Sequence, residues 1–281
     1  MLSYRHAFHA GNHADVLKHL VLLQMARHLA QKDKAFWYID THAGAGSYAL
    51  DSPAAAKLAE YRQGIGRLWS RQDLPPAVGD YVEFVRRTNP DGRLKIYPGS
   101  PSFALSMMRA QDRLRLCELH SREVLRLREN FQACGRQVVV DAVDGFAALK
   151  GLLPPPPRRA LVLIDPPYEE RRDYERVVLA LKDSLQRFPG GSYMLWYPLL
   201  SRLEAHELPP RLKRLPAAAW LHVSLRVRTP AADGFGMHGS GLFVINPPWT
   251  LQATLQESLP WLRQALGADA GAAFTLESQA P

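Results

Sequence analysis

The sequence predicts an α/β fold in which a doubly wound sheet carries helices on both of its faces. Apolar runs of strand length alternate with segments whose apolar residues recur at helical spacing. A glycine-rich turn directly follows the first of these runs. Acidic residues stand at or just after the ends of the first four predicted strands, namely Asp40, Glu118, Asp141 with Asp144, and Asp165. In doubly wound sheets these strand ends line the ligand crevice, so the pattern predicts the place of a site as well as a fold.

Composition and charge restrict the class of protein. The 281 residues suffice for one large domain, and 47% hydrophobic with 22% charged residues is typical of a soluble globular chain. No apolar run reaches the ~18 residues that span a bilayer, the N-terminus has no hydrophobic leader, and there are only two cysteines. We therefore expect a cytoplasmic protein without a membrane partner. The net charge of +8 favours a polyanionic partner such as a nucleic acid.

Residues 1–30 form a distinctive N-terminal motif. Asn12 followed by Asp15 resembles a capping box, and the apolar spacing beyond it predicts a helix from about residue 13 to residue 30. Histidines stand at positions 6, 9 and 13, but no cysteine or carboxylate completes a familiar metal-ligand spacing. We expect them to line a polar site near the start of this helix, and we expect no bound metal.

The first strand is predicted at residues 35–39, and the turn after it runs from Asp40 through His42 to Gly44 and Gly46. Glycines at these positions let the backbone turn tightly and approach a ligand. A dinucleotide-binding turn carries glycine or alanine three residues beyond the second glycine, and alanine occupies that place here. The turn therefore predicts a nucleotide-like ligand but disfavours a nicotinamide cofactor only mildly.

An insertion interrupts the fold after the glycine turn. The next strand is predicted at residues 113–117, much later than the roughly 30 residues of an ordinary βαβ unit allow. The intervening residues at about 49–95 carry two helical patterns, which Pro75 and Pro76 separate. We predict a small helical subdomain there, inserted in a single domain that spans residues 1–281.

Three positions beyond the insertion extend the predicted crevice. Ser100, followed by Pro101 at the first helical position, is predicted to cap the helix that restarts the main fold and to lie close to the glycine turn. Glu118 at the end of the second strand can accept both ribose hydroxyls of a nucleoside. Asp144, followed by Gly145, comes after the third strand and can accept from an adenine amine.

The chemistry centres on Asp165-Pro166-Pro167-Tyr168, which follows a predicted buried strand at residues 161–164. The prolines end that strand because they cannot continue its hydrogen-bond ladder. Carboxylate and carbonyl oxygens only accept hydrogen bonds, so Asp165 and the carbonyl of Pro166 suit a planar group that carries N–H donors. The ring of Tyr168 offers a face on which that group can stack. The exocyclic amine of a nucleobase meets this description.

A second Pro-Pro motif, from Asn246 to Trp249, is a rival for the same role. It follows the second of two strands, at residues 219–227 and 241–245, which could pair antiparallel at one edge of the sheet. The side-chain oxygen of an asparagine amide could also accept a hydrogen bond from such an amine. We prefer Asp165 because it belongs to the series of acidic strand ends, whereas Asn246 comes after that series.

The region 202–228 is rich in arginine and lysine. Such a run is either a solvated basic face or a contact for nucleic acid, and the overall positive charge favours the contact slightly. The tail after Ala268 is rich in small residues and carries no prediction.

The central motif resembles the catalytic motif of amino-methyltransferases, and the turn from Asp40 to Gly46 resembles their first S-adenosylmethionine motif. Together the motifs resemble Class I S-adenosylmethionine-dependent methyltransferases, which have a Rossmann-like sheet. Residues 3–19, residues 97–101, and Glu118 with the two residues after it closely resemble the family of bacterial 23S ribosomal RNA adenine-N6 methyltransferases. This resemblance covers essentially the whole chain.

The resemblance implies that S-adenosylmethionine is the methyl donor, S-adenosylhomocysteine the product, and one adenine of 23S ribosomal RNA the substrate. It implies no metal and no obligate protein partner, and we expect the RNA to be free or in early assembly. We assign the catalytic role to Asp165, Pro166 and Tyr168. The residues we expect at the donor are Lys18, His19, Asp40, His42, Gly44, Gly46, Ser100, Glu118, Asp144, Gly145 and Asp165, and those we expect at the RNA are Tyr4, His6 and Lys18.

Three alternatives share these motifs. A DNA adenine-N6 methyltransferase and a ribosomal RNA guanine-N2 methyltransferase would have the same core. A non-catalytic RNA-binding module could also retain the fold, although intact Asp165, Gly44 and Gly46 argue against it.

Overall fold

The computed structural model describes residues 5–280 and is built on an eight-stranded mixed sheet. The strands are β1 (Trp37–Asp40), β2 (Ser47–Ala49), β3 (Ile96–Pro98), β4 (Arg113–Cys117), β5 (Val138–Asp141), β6 (Ala160–Ile164), β7 (Ser192–Leu199), β8 (Trp220–Arg226), β9 (Gly239–Ile245) and β10 (Ala273–Gln279). The sheet has the order β10-β8-β9-β7-β6-β1-β4-β5, and β2 pairs with β3 in a separate two-stranded sheet. The five strands from β5 to β7 in this order are parallel, whereas β9 is antiparallel to β7 and β8, and β10 is antiparallel to β8.

The chain reverses its direction of travel across the sheet between β1 and β6. From β1 it moves outward to β4 and β5, and it then returns to place β6 on the other side of β1. Asp40 is therefore in register with Leu116 of β4 and with Leu163 of β6. Ligands of doubly wound sheets bind at such a reversal, outside the carboxyl ends of the strands.

Helices cover both faces of the sheet, as predicted. They are α1 (His13–Ala30), α2 (Pro53–Leu58), α3 (Ile65–Leu68), α4 (Pro76–Arg87), α5 (Ser100–Leu105), α6 (Ser121–Phe131), α7 (Gly145–Leu152), α8 (Arg172–Arg187), α9 (Leu203–Leu212) and α10 (Leu251–Leu266). Leu161 and Leu163 of β6 belong to the core under α1, α4, α5, α6 and α10. Val162 and Ile164 belong to the core under α7, α8 and α9. Strand β6 is thus buried on both sides, which explains its unbroken apolar sequence.

Helix α1 begins where the sequence predicts. The side chain of Asn12 accepts hydrogen bonds from the main-chain N–H groups of Ala14 and Asp15. Asp15 reaches back to the N–H of Gly11 rather than to that of Asn12, so the capping box is a variant one. The helix packs mainly on α4, α5, α10, β7 and β9.

The helices predicted within the insertion are present between β2 and β3. Strand β2 pairs with β3 in antiparallel fashion, with Ser47 opposite Pro98, so the two ends of the insertion lie side by side. Its helices contact α1, because Glu60 accepts a hydrogen bond from Asn12 and Asp80 pairs with Arg27.

Two expectations need correction. Ser100 is the first residue of α5 and not its N-cap. Gly99 holds the N-cap position, and it has no side chain with which to cap the helix. The expected closeness to the glycine turn is nevertheless found, since the N–H of Gly99 donates to the carbonyl of Gly46 at 2.9 Å. Strands β8 and β9 do pair antiparallel, but β10 forms the edge of the sheet.

Candidate functional site

A cavity of about 680 Å³ opens at the carboxyl ends of the parallel strands, over the reversal between β1 and β6. This volume lies within the range of small-molecule sites. Its lining includes twelve of the predicted site residues, namely His6, Lys18, His19, His42, Gly44, Ser100, Glu118, Asp144, Gly145, Asp165, Pro166 and Tyr168. Residues that follow the ends of β1, β4, β5 and β6 therefore lie around one cavity.

The glycine turn and the end of β4 are joined by hydrogen bonds. The N–H of Gly44 donates to Oε2 of Glu118 at 2.8 Å, and the N–H of His120 donates to Oε1 at 2.7 Å. Burial raises the pKa of Glu118. Gly44 has a φ of 59°, and a Cβ there would meet the hydroxyl of Tyr48 at 2.2 Å, so this position requires glycine.

Asp40 lies beneath the glycine turn and not on the cavity wall. It is 0% exposed and accepts hydrogen bonds from the hydroxyls of Tyr38 and Ser100, both at 2.7 Å, and from the N–H of His42 at 3.2 Å. Burial raises its pKa to about 6, although these hydrogen bonds oppose the shift. The predicted donor contact of Asp40 does not fit this geometry, because its oxygens hold the turn in place.

Gly46 likewise faces the protein. Its φ is 75°, and a Cβ there would meet Phe131 at 2.5 Å and Leu127 at 3.0 Å. Glycine is needed at this position so that the turn can pack on α6. The prediction that Gly46 approaches the ligand is therefore corrected, whereas Gly44 does line the cavity.

Two buried histidines contribute neutral polar groups. His19 stacks on Phe103 at 4.7 Å, its Nδ1 lies 2.7 Å from the hydroxyl of Tyr97, and its Nε2 has no hydrogen-bond partner within residues 5–280. Burial lowers the pKa of His19 well below its usual value. Burial also lowers the pKa of His42 to about 4, and its Nδ1 lies 2.8 Å from the hydroxyl of Thr41. Both rings are uncharged at neutral pH, so either can hydrogen-bond a ligand without contributing charge.

Asp144 and Gly145 bring the start of α7 against the first strand. Asp144 caps this helix by accepting from the N–H groups of Phe146 and Ala147, and it pairs with Arg176. A Cβ on Gly145 would lie 2.0 Å from the carbonyl oxygen of Thr41. Only glycine permits this approach, which places the helix start at the cavity wall.

The carboxylate of Asp165 belongs to a buried ionic chain. Nζ of Lys18 lies 2.7 Å from Oδ2 of Asp165 and 2.8 Å from Oδ1 of Asp15. Oδ2 of Asp15 lies 2.8 Å from Nε2 of His6 and accepts from the N–H of Gly11 at the same distance. Burial alone would lower the pKa of Lys18, but the two carboxylates outweigh it and raise that pKa. Lys18 thereby occupies one oxygen of Asp165, while Oδ1 accepts no hydrogen bond from any described residue.

This chain changes the roles expected for the N-terminal residues. The side chain of Lys18 is 6% exposed and lies between two carboxylates, so it does not fit the predicted contact with RNA phosphate. His6 lines the cavity but bonds to Asp15, and its predicted RNA contact remains a prediction. Tyr4 lies outside the described residues.

Tyr168 is more enclosed than expected for a stacking platform. Its ring is 3% exposed and packs on Tyr174 with centroids 4.7 Å apart, and its hydroxyl donates to the carbonyl of Trp196 at 2.8 Å. Trp196 also lines the cavity, and its indole N–H has no partner among the residues described. The sequence reasoning missed Trp196, whose only signal is its place in a short apolar run.

The rival motif lies at the opposite end of the strands, where β7 begins. Because β9 is antiparallel to β7, Asn246 at its end lies away from the carboxyl end of β6. The amide of Asn246 donates to the carbonyls of Pro189 and Gly191 at 2.8 and 2.7 Å. Trp249 is 86% exposed. Asn246 does not line the cavity that contains Asp165.

Two further features are absent from residues 5–280. In this range, no group of three or more histidines, cysteines and acidic residues is arranged to hold a metal ion. None of the helices in this range combines the length and apolar character needed to cross a bilayer.

The chain is similar in sequence and in structure to known proteins. Residues 33–277 match the family model described as Ribosomal RNA large subunit methyltransferase D, RlmJ. The chain is 45% identical over 278 residues to Ribosomal RNA large subunit methyltransferase J of Haemophilus influenzae, covering 99% of this chain and 98% of the relative. It is 46% identical over 266 residues to the protein of the same name from Escherichia coli, covering 95% and 94%. The crystal structure of protein LPL1258 from Legionella pneumophila has a TM-score of 0.88 and 34% identity, covering 96% of this chain and 98% of that one.

Proposed function

The chain belongs to the RlmJ family of large-subunit ribosomal RNA methyltransferases, and from this membership we propose that it methylates the exocyclic N6 amine of one adenine in 23S ribosomal RNA, with S-adenosylmethionine as donor. The observation that carries the proposal is the state of Asp165. One oxygen of this carboxylate is held by Lys18, the other accepts no hydrogen bond from residues 5–280, and the residue lines a cavity that Gly44 and Glu118 also line.

The residues of the cavity fit a nucleoside that carries an amino-acid group. Glu118 accepts one main-chain N–H on each oxygen and keeps a second lone pair on each for the ribose hydroxyls. The unpartnered Nε2 of His19 offers one further hydrogen bond to the donor. His42, Ser100 and Gly145 complete this wall. When bound, S-adenosylmethionine supplies an electrophilic methyl group on a positively charged sulfur.

The chain's own contribution to catalysis is to orient the amine. The lone pair of an adenine N6 is delocalised into the ring, which makes the amine a poor nucleophile. If Oδ1 of Asp165 and the carbonyl of Pro166 accept its two N–H groups, the nitrogen is drawn toward tetrahedral geometry and its lone pair is localised. Positioning and fixed dipoles then supply much of the acceleration, and Asp165 can take the released proton.

The target adenine has to leave its stack to reach this carboxylate. Tyr168 stands three residues after Asp165, its ring centroid lies 6.1 Å from that of Trp196, and both residues line the cavity. The small open area of Tyr168 makes Trp196 a second candidate for contact with the extruded base.

Nucleoside analysis of the methylated product tests the proposal. Purified protein is incubated with isotope-labelled donor and deproteinised 23S ribosomal RNA, and the RNA is digested to nucleosides. We expect labelled N6-methyladenosine. Labelled N2-methylguanosine would favour the guanine alternative, label in duplex DNA the DNA alternative, and RNA binding without label the non-catalytic module.

The form of the RNA is a separate part of the proposal. Asp165 lies inside a cavity, so the nucleotide must be able to enter it, and free or partly assembled RNA presents fewer obstacles than a finished subunit. We therefore propose that the enzyme acts early, in the cytoplasm where the RNA is assembled. Comparing the methylation rates of deproteinised RNA and of intact large subunits tests this order.

A further inference from the structure

The loop between β8 and β9 presents an aromatic ring at the rim of the cavity. Phe235 is 80% exposed and stands between Gly234 and Gly236, whose φ angles are 72° and 84°. The residues that follow it, Gly236 and Met237, line the cavity. Phe235 therefore projects into solvent from a loop whose next two residues form part of the cavity wall.

This loop is anchored at its base while its tip is left uncovered. The guanidinium of Arg228 donates to the carbonyl of Met237 at 2.9 Å, and the N–H of Thr229 donates to the carboxylate of Asp269 at 2.9 Å. The N–H of Phe235 itself donates to Asp233 at 3.0 Å. An exposed phenyl ring gains none of the free energy of apolar burial, so a fixed turn that holds it in solvent points to a ligand rather than to a folding role.

The charges beside the ring narrow the choice of ligand. In the region 202–228, Arg211 pairs with Glu175 and Lys213 pairs with Glu277. Arg202 and Arg228 both line the cavity, and within residues 5–280 neither has a carboxylate partner. An aromatic ring next to unpaired guanidinium groups is suited to the unstacked bases and phosphates of single-stranded RNA.

We propose that Arg202, Arg228 and Phe235 form the docking surface for the RNA strand that flanks the methylated nucleotide, with Phe235 stacked on a neighbouring base. The inference rests on the proposed function. Extrusion of the target adenine exposes a face of each adjacent base, and a ring at the mouth of the cavity can cover one of them. The two guanidinium groups then meet the phosphates on either side of the nucleotide.

The test compares Phe235→Ala with Phe235→Tyr and with Trp249→Ala, which removes an equally exposed aromatic ring from the opposite end of the strands. RNA affinity is measured by fluorescence anisotropy in the presence of S-adenosylhomocysteine, and methylation by single turnover. We expect Phe235→Ala to weaken RNA binding about fivefold or more, and Phe235→Tyr and Trp249→Ala to stay within about twofold of wild type. Donor affinity and melting temperature should not change in any of the three.

The outcomes separate this surface from the proposed function. If the wild type methylates RNA and Phe235→Ala binds RNA as tightly as the wild type, or Trp249→Ala loses as much, the docking surface is wrong and the function stands. If RNA binding depends on Phe235 but no adenine is methylated, the surface stands and the function is wrong. A wild type that neither binds nor methylates RNA overturns both.

The charge of Arg202 gives a second measurement. For single-stranded RNA, each phosphate contact contributes a slope of about −0.7 to the dependence of log affinity on log salt. Arg202→Gln should make the dependence shallower by about that amount, whereas an unchanged slope removes Arg202 from the surface. Arg228 is less suitable because it also holds the loop through Met237.

Discussion

The two Pro-Pro motifs of this protein have nearly the same sequence and entirely different surroundings. Both follow a buried strand, and each contains a residue in the left-handed region, Tyr168 with a φ of 51° and Asn246 with a φ of 52°. Asp165 stands over the reversal between β1 and β6, in the wall of the cavity. Asn246 stands where the parallel strands begin, because β9 is antiparallel to β7.

The difference shows that strand direction, more than the tetrapeptide sequence, decides which of the two motifs lies at the cavity. At the first motif a lysine occupies one carboxylate oxygen and leaves the other open. At the second, both amide hydrogens are spent on the carbonyls of Pro189 and Gly191, and the side chain closes a turn. The same tetrapeptide pattern thus supplies the proposed reactive corner in one place and a structural turn in the other.

The largest effect is expected from Asp165→Ala. Removing the open oxygen takes away both an oriented acceptor and the proton acceptor, so the single-turnover rate should fall at least about 100-fold. The measurement is methylation of 23S RNA with donor and RNA saturating, with circular dichroism as a control for folding. A rate within about tenfold of wild type would contradict the assignment of Asp165.

Lys18→Met should reduce both stability and rate. It leaves Asp15 and Asp165 buried without their shared cation, and breaking a buried pair costs about 3–5 kcal/mol. Denaturant unfolding gives the loss of stability. Combining it with Asp15→Asn should recover part of that loss, because one orphaned charge is gone, and strictly additive losses would argue that the ionic chain is not a unit.

Glu118→Ala should weaken the binding of S-adenosylhomocysteine roughly tenfold to a hundredfold, since the variant loses charge-assisted hydrogen bonds worth about 1.5–3 kcal/mol. RNA affinity should be unaffected. Calorimetry measures the former and fluorescence anisotropy the latter. Equal weakening of both ligands would mean that Glu118 only shapes the glycine turn through Gly44.

Acid should destabilise the edge that carries Asp165. His42 has a folded-state pKa of about 4 against 6.5 in the unfolded chain, so the unfolded chain takes up a proton first as pH falls. Its contribution is complete above pH 6.5 and is lost at about 1.4 kcal/mol per pH unit between pH 6.5 and pH 4. Unfolding free energies measured across this window should show a shallower slope in His42→Asn, and an unchanged slope would place the titration elsewhere.

The smallest effect on catalysis is expected from Asn246→Ala. Activity per folded molecule should stay within about twofold of wild type, because Asn246 does not line the cavity. Stability should fall by about 1–2 kcal/mol through two lost hydrogen bonds and the left-handed backbone, whereas Asn246→Gly should restore the backbone part. An inactive but folded Asn246→Ala protein would reverse the comparison between the two motifs.

The sequence predicts the parts of this molecule that depend on local pattern. The apolar run of β6 and the cap of α1 by Asn12 both follow from spacing, and the structure places both as expected. Parallel strand ends share one edge of a sheet, so Glu118 and Asp165 could be brought together without knowing any distance.

The parts that local pattern does not predict depend on pairing across the fold. Lys18 and Asp165 are 147 residues apart in the chain, and nothing near Lys18 indicates that its charge is buried. Asp40 has the right position in the series, but its side chain turns beneath the loop toward Tyr38 and Ser100. Strand β10 was not predicted because its residues are mostly exposed at the edge, where few of them need to be apolar.

The packing of α1 also has a consequence for how the protein is made. This helix leaves the ribosome before β9 and α10, against which it packs. Roughly 200 residues separate them. At a synthesis rate of about 5–20 residues per second, the apolar face of α1 therefore lacks these packing partners for about 10–40 s. During that interval the core around Lys18 and Asp165 is only partly covered. The ion pair between them therefore becomes fully enclosed late in synthesis.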